Sequence, residues 1–429
     1  MTRARPIPSE ELKIIEIVDE PAPQNNDEQS QRKRSLPNNR EEPSPTKGNA
    51  ARAPCTIDET LNVINKWLAL PSLTPVYAVL GTVAANLLPG DPVWLGVIGP
   101  PSSAKTEILN SISLLPNVVQ AATLTPVGLL SGTPKKQREQ GTKGGLLNQI
   151  GDFGIIALKD FGSILSMRPD TKPEVLAALR EVYDGAWTRH LGTDGGKTLS
   201  WKGKVGLLFG ATGVIDSHYS VIGAMGDRFL MTRLSPVEGQ FKQALKHIGA
   251  AGAQMRRELA EAVAALFVGR HHEPRRLTDE EADQIDRVIS LVVRLRATVE
   301  RDRHTRDLEA VYGAEGTGRI GLALERLLAG LDTLGVERTT ALNVVQAVAM
   351  DSVPPIRRSA YEHLATLTGT HVETAVIAKA IGLPTNTVRR ALEDLTAYGL
   401  VVRTGQGPGK PDLWNVINKE TDNACGCKH

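Results

Sequence analysis

The sequence predicts an α/β protein: a P-loop nucleotide-binding domain with a helical subdomain, followed by a winged helix-turn-helix. Three observations predict it. A buried-strand pattern, Val93 to Ile98, runs into Gly99-Pro100-Pro101-Ser102-Ser103-Ala104-Lys105-Thr106 and then into a helical pattern. Two more apolar strand patterns follow, Gly154–Phe161 and Lys204–Gly213, separated by a helix and a hairpin. From about residue 354 the chain spells three helices and a Gly/Pro/Lys hairpin.

The chain has 429 residues, enough for two or three domains with a buried core. Lys and Arg total 50 against 48 for Asp and Glu, so the net charge of +2 gives no global sign of a polyanionic partner. Any nucleic-acid surface must be local. Cysteine is confined to Cys55, Cys425 and Cys427, and two terminal thiols with one His fall short of a closed four-ligand metal site. No apolar run suits a signal peptide, and none approaches the ~20 apolar residues of a membrane helix. These features predict a soluble, cytoplasmic protein of a reducing compartment.

Residues 1–54 are rich in Pro, Asn, Gln, Ser and charge and read as a disordered tail. Within it, Gln31-Arg32-Lys33-Arg34 offers charge to DNA, and Leu12 to Val18 is apolar enough to dock on a partner. Residues 55–90 form a helical segment: Ile57, Leu61, Ile64 and Leu68 share one face, and Asp58 and Glu59 suit a first turn. A second apolar stretch, Val76 to Leu88, leads through Pro89-Gly90-Asp91-Pro92 into the Val93 strand.

Residues 91–240 form the α/β core. The spacing of Gly99 and Ala104-Lys105-Thr106 follows G-x-x-x-x-G-K-[ST] except that Ala replaces the second Gly. Such a loop aims backbone N–H groups and a helix start at polyphosphate; Lys105 adds a charge for the β/γ oxygens, and Thr106 a hydroxyl for Mg²⁺. Gly154 to Phe161 is an apolar run ending in an acid, Asp160, the way a parallel strand delivers a carboxylate to a phosphate site. A helix over 172–183 precedes two alternating segments that flank Asp194-Gly195-Gly196, a hairpin with Lys197 at its tip. The strand Lys204–Gly213 ends near Thr212, at the edge where ligands of open α/β sheets sit. Gly226 to Leu234 is a strand carrying Arg228 and Arg233.

Residues 241–350 are helical by pattern (Leu259, Val263, Leu266; Ile285, Ile289, Val292; Ile320, Leu324, Leu327, Leu331) and form a lid. In 354–417, helices over 356–367, 371–381 and 385–398 precede a hairpin of 400–403 with 413–416. Thr385, Asn386, Thr387, Arg389 and Arg390 then open the recognition helix, and Lys410 sits on the wing, residue types that anchor on or read DNA. Residues 418–429 are a flexible tail.

Together these pieces resemble the AAA+ ATPases, specifically the MCM helicase branch and its relatives in phages and mobile elements. The phosphate loop is similar to that family's, in which Ala commonly precedes the Lys. Gly154 to Phe161 resembles its Walker B strand, Trp187 to Trp201 its pre-sensor hairpin, Leu207 to Gly213 its sensor 1, Asp227-Arg228-Phe229 its arginine finger and Gly318-Arg319 its sensor 2. The resemblance implies an ATP-dependent DNA helicase or replication initiator acting as a hexameric ring, with ATP and Mg²⁺ as cofactors and DNA as partner. Gly99 to Thr106 would hold the phosphates, and Thr106 with Asp160 the Mg²⁺. Asp160, Thr212, Arg228 and Arg319 would form the catalytic set, with Arg228 reaching the γ-phosphate of a neighbouring subunit. Lys197 would touch DNA.

Three departures accompany it. Thr212 stands where the family usually has Asn. Lys159-Asp160-Phe161 replaces Asp-Glu-Phe: if Phe161 fixes the register, Asp160 is the water-activating base and Lys159 replaces the Mg²⁺-ordering acid; if Asp160 is that acid, no base follows it. The first register is preferred, and a Lys beside Mg²⁺ implies slow or absent hydrolysis. Only about 90 residues precede the loop, too few for the family's N-terminal DNA-binding domain. Lys159 therefore keeps a second reading open, a DNA-binding regulator or assembly factor that uses ATP binding as an oligomerisation switch.

Overall fold

The computed structural model describes residues 53–131, 144–191, 197–218, 228–236, 245, 250–268, 272–302, 304–407 and 410–417. Residues 1–52 and 418–429 of the two predicted tails, with Cys425 and Cys427, lie outside them.

Strands β1 (Trp94–Ile98), β2 (Val118–Ala121) and β3 (Phe153–Leu158) precede a separate antiparallel hairpin, β4 (Ala186–Leu191) with β5 (Lys197–Lys202). After β6 (Lys204–Ala211) and β7 (Phe229–Arg233), one parallel sheet is complete in the order β2-β3-β6-β1-β7. The phosphate-loop strand β1 thus lies between β6 and β7, with Ile98 level with both Ala211 and Arg233. Alternate side chains enter two cores, as expected for a sheet covered on both faces. Leu95, Val97, Leu208 and Leu230 face one, and Trp94, Ile98, Phe209 and Phe229 the other.

The first core is filled by α1 (Ile57–Trp67), α2 (Thr74–Leu87) and α3 (Lys105–Asn110). Helix α1 starts at a capping box that the acidic first turn signalled: Thr56 Oγ1 accepts from the Glu59 amide, and the Glu59 carboxylate accepts from that of Thr56. Helix α2 is apolar on nearly every face because it is buried between the sheet and other helices. Its Asn86 donates to the carbonyl of Val93 and accepts from the Val93 amide, which fixes the start of β1. The second core is covered by α4 (Thr171–Tyr183).

The stretch expected to be helical over 241–350 contains α5 (Ala250–Leu266), α6 (Asp279–Arg296), α7 (Thr317–Thr333) and α8 (Arg338–Asp351). It also contains an unexpected antiparallel pair, β8 (Val299–Arg301) with β9 (Leu308–Val311), so the all-helical expectation is corrected there. These helices share the first core with the sheet. Helix α7 meets α2 where a Cβ on Gly330 would sit 2.1 Å from the Gly81 carbonyl oxygen, a backbone approach only glycine permits.

The C-terminal residues form α9 (Pro355–Thr366), β10 (Val372–Glu373), α10 (Thr374–Ile381), α11 (Thr385–Ala397), β11 (Val401–Thr404) and β12 (Leu413–Val416). The three strands pair antiparallel in the order β10-β12-β11. The helix expected from 371 begins at Thr374, because Val372 and Glu373 pair with Trp414 and Leu413 instead. Trp414 is fully buried there and donates its indole N–H to Thr374 Oγ1 at 2.7 Å.

Candidate functional site

At the carboxyl edge of the sheet the Gly99 amide donates to the Ala211 carbonyl, which brings the start of the phosphate loop level with the end of β6 and with Thr212. The loop turns through two left-handed residues, Ser102 (φ 62°) and Ala104 (φ 65°). That conformation explains why the sequence pattern usually has Gly at position 104. An Ala there carries about 1 kcal/mol of strain. Gly99 is equally constrained, since a Cβ would meet Ser103 Oγ at 2.7 Å and Leu234 Cβ at 2.9 Å. Lys105 Nζ donates to the carbonyls of Gly99 (2.8 Å) and Pro100 (2.6 Å), so the cation lies inside the curve of the loop. Burial lowers its pKa, and the neighbouring Asp160 carboxylate opposes that shift. A strand-to-helix loop that curves around a lysine at the carboxyl edge of a parallel sheet is a place where phosphates of a nucleotide can sit.

Strand β3 ends at Leu158, and Lys159 and Asp160 are exposed just past it. Phe161 is fully buried, packed on Phe209 (4.5 Å between ring centres) and Phe229 (5.7 Å). This anchor fixes where Asp160 stands. Its Oδ1 accepts from the Gly162 amide at 2.9 Å. Thr106 is also exposed at this edge. Among the described residues no group of three or more His, Cys, Asp or Glu is placed to hold a metal ion. Any cation here would be held by Thr106, Asp160, phosphate and water, the sparse protein ligation that suits Mg²⁺.

The predicted arginines sit elsewhere. Arg228 immediately precedes β7, level with Val93 at the amino ends of the strands and so six residues, about 20 Å at 3.3 Å per residue, from the start of the phosphate loop at Gly99. Its Nη2 donates to both oxygens of Asp184 (2.9 and 2.8 Å), and its guanidinium lies 5.2 Å from the Tyr183 ring centre. Arg319, near the start of α7, pairs with Glu315 at 3.2 Å and borders a polar cleft of about 530 Å³ at this same amino edge. Tyr183, Asp184, Asp91, Lys204 and Arg326 line it too. Burial raises the Tyr183 pKa, Asp91 adds to the rise, and Arg319 and Arg228 both oppose it. Lys204 is pushed down to about 8 by burial and by Arg326, against Asp91. Lys204 and Arg326 donate to carbonyls at the end of α2, Leu88 for both and Ala85 and Pro89 for Arg326.

Asp160, Thr212 and Gly99 to Thr106 therefore gather at one edge, while Arg228 and Arg319 gather at the other. Tyr183, Asp184 and Lys204 escaped the sequence reading, because nothing local marks residues that meet Arg228 or the cleft only through the fold. Arg233, the last residue of β7, is occupied by Asp216 in a two-nitrogen pair (2.9 and 2.7 Å).

In the C-terminal module Thr385, Asn386 and Arg390 are exposed at the start of α11. Thr387 is half-buried, and Arg389, its side chain 43% exposed, pairs with Glu393 at 3.1 Å. The far half of α11 is taken up by the body: Arg301 of β8 binds Glu393 and Asp394, and Arg357 binds Asp394. Lys410 is exposed. The tip of the β4–β5 hairpin, 192–196, and the Lys197 side chain lie outside the described residues.

No family model matches the chain, and no curated protein does. Among solved structures, an A-form apo structure of the NrS-1 C-terminal region aligns at 11% identity over 86% of this chain and 77% of that one, with a TM-score of 0.28. A second NrS-1 structure gives 10%, 86%, 78% and 0.24. The JCV helicase bound to a thiazolopyridine compound gives 15% identity over 49% of this chain and 59% of that one, with a TM-score of 0.23. At such superpositions the functional reading rests on the chain's own geometry. No helix among the described residues is long and apolar enough to cross a membrane.

Proposed function

We propose that this chain is an ATPase of the MCM-like AAA+ type whose nucleotide site is completed only between subunits of a ring, and that it acts on DNA as a helicase or replication initiator. One observation carries the proposal: the phosphate loop, Asp160 and Thr212 lie at the carboxyl edge of the sheet, and Arg228 and Arg319 at the amino edge. A head-to-tail contact between copies brings the two edges together, and such contacts close into rings. In that assembly Lys105 and the phosphate loop would hold the phosphates, Thr106 with Asp160 would hold Mg²⁺, and Asp160 would also serve as the water-activating base of the preferred register. Thr212 orients water, and the neighbour's Arg228 and Arg319 stabilise charge on the transferred phosphoryl group. The C-terminal helices and strands act as a winged helix-turn-helix, with Thr385, Asn386, Thr387, Arg389, Arg390 and Lys410 toward DNA.

A second reading, an assembly factor that uses ATP binding as a switch with little turnover, is favoured by the exposed Lys159 beside Asp160. DNA-stimulated ATPase assays on the wild type, Lys105→Ala, Asp160→Asn and Arg228→Ala separate the two. Turnover in the wild type that all three substitutions remove supports the motor. Nucleotide binding without turnover in the wild type sinks it and leaves the switch.

A further inference from the structure

The finger residue Arg228 is stowed. Its side chain is only 10% exposed, whereas Asp184, which accepts from it through both oxygens, is 55% exposed. Tyr183 forms the floor beneath the guanidinium, and is itself fixed edge-on by Trp94 at 5.1 Å. While this clasp is closed, the guanidinium is covered by its own chain and does not reach a phosphate on another subunit. Engagement therefore exchanges the Asp184 carboxylate for phosphate oxygens.

The same residues lead into the β4–β5 hairpin. Tyr183 ends α4, Asp184 caps it, and Gly185 turns the chain with φ +84° into Ala186, the first residue of β4. The Gly203 amide donates to the Gly185 carbonyl, and Ala186 pairs with Lys202, closing the hairpin's base. The ion pair Arg228–Asp184 thus ties the start of β7 to the root of the hairpin.

We infer that Asp184 is a latch, a positioning residue that stows Arg228 in the free subunit and links its release to movement of the β4–β5 hairpin. The inference rests on the shared-site reading above. A neighbour's γ-phosphate competes with Asp184 for Arg228, which frees the hairpin root. By reciprocity, a hairpin displaced by DNA releases Arg228 toward the neighbour.

The test measures ATPase rates with and without single-stranded DNA, and ATP-dependent self-association by sedimentation, in full-length wild type, Asp184→Asn, Asp184→Glu and Arg228→Ala. Melting temperatures confirm folding. Removing the charge in Asp184→Asn raises the DNA-free rate about two- to fivefold, the range open to a half-exposed ion pair, and lowers the DNA-stimulation ratio correspondingly. Self-association shifts to lower protein concentration, and Asp184→Glu restores wild-type behaviour. Asp184→Asn rates and association equal to wild type overturn the latch, as does a loss of both rates like that of Arg228→Ala. A wild type that neither hydrolyses ATP nor associates on it overturns the shared-site reading instead, and with it the latch.

Discussion

The two edges of the central sheet are made by the same strands and differ in how they hold charge. At the carboxyl edge Lys105 is wrapped by backbone carbonyls of its own loop and lies near the Asp160 carboxylate. At the amino edge several cations, Arg228, Arg319, Lys204 and Arg326, surround Tyr183, Asp184 and Asp91. The phosphate loop is contiguous in sequence and shaped by local backbone, whereas the amino-edge cluster is assembled from five separate elements and loops. Within one copy of the chain the phosphate loop and the Arg228–Arg319 cluster lie at opposite ends of the strands and do not meet, which is why the proposed site is shared between copies.

A row of packed rings runs between the edges: Phe161 on Phe209, Phe209 on Phe229, Phe229 on Trp94, and Trp94 on Tyr183. It begins beside Asp160 and ends beneath Arg228.

Removing one cation from each edge gives the largest effects and separates their roles. Arg228→Ala lowers kcat by about 10³-fold, as loss of an arginine finger does, and leaves binding of a fluorescent ATP analogue intact. Lys105→Ala instead weakens that binding, by about 10- to 100-fold, the worth of charge-assisted bonds to phosphate. Equal effects on binding from both would contradict a division into two half-sites. Next, Phe161→Ala opens the aromatic row at its carboxyl end and costs about 3–5 kcal/mol in denaturant unfolding. A loss under about 1 kcal/mol would mean the row does not hold Asp160 in place.

Smaller effects sharpen each edge separately. Ala104→Gly relieves the left-handed strain at the phosphate loop and stabilises the fold by about 1 kcal/mol, read as a higher Tm. At the amino edge, Lys204 has a pKa of about 8 when folded and 10.5 as its ordinary value. Between those values the unfolded chain holds a proton that the folded chain has lost, so stability rises with pH. The wild type should therefore gain stability relative to Lys204→Met as pH rises from about 8 toward 10 in chemical denaturation. A constant difference would show that Lys204 is not desolvated there.

Legibility in the sequence followed the range of the interactions. The phosphate loop, the three buried strands and the apolar face of α1 were readable because each is a contiguous pattern. Strands β8 and β10 were not: they are three and two residues long and exist through pairing with distant partners. Resemblance marks Arg228 as a candidate finger, but its contact with Asp184 is not legible in the sequence because Asp184 lies 44 residues earlier, at the end of a helix marked only by its apolar stripe. Lys159 was visible and its consequence was not, since whether it faces a metal depends on an assembled site.

The most direct test of the shared site mixes two inactive proteins. Lys105→Ala keeps the amino edge and loses the carboxyl one; Arg228→Ala does the reverse. Each alone should hydrolyse ATP at background rate, and an equal mixture, allowed to exchange subunits, should recover about a quarter of wild-type activity, the fraction of head-to-tail contacts that pair two intact edges. A mixture that stays at background, under conditions where sedimentation shows mixed oligomers and the wild type turns over, would contradict a site built from two copies of this chain.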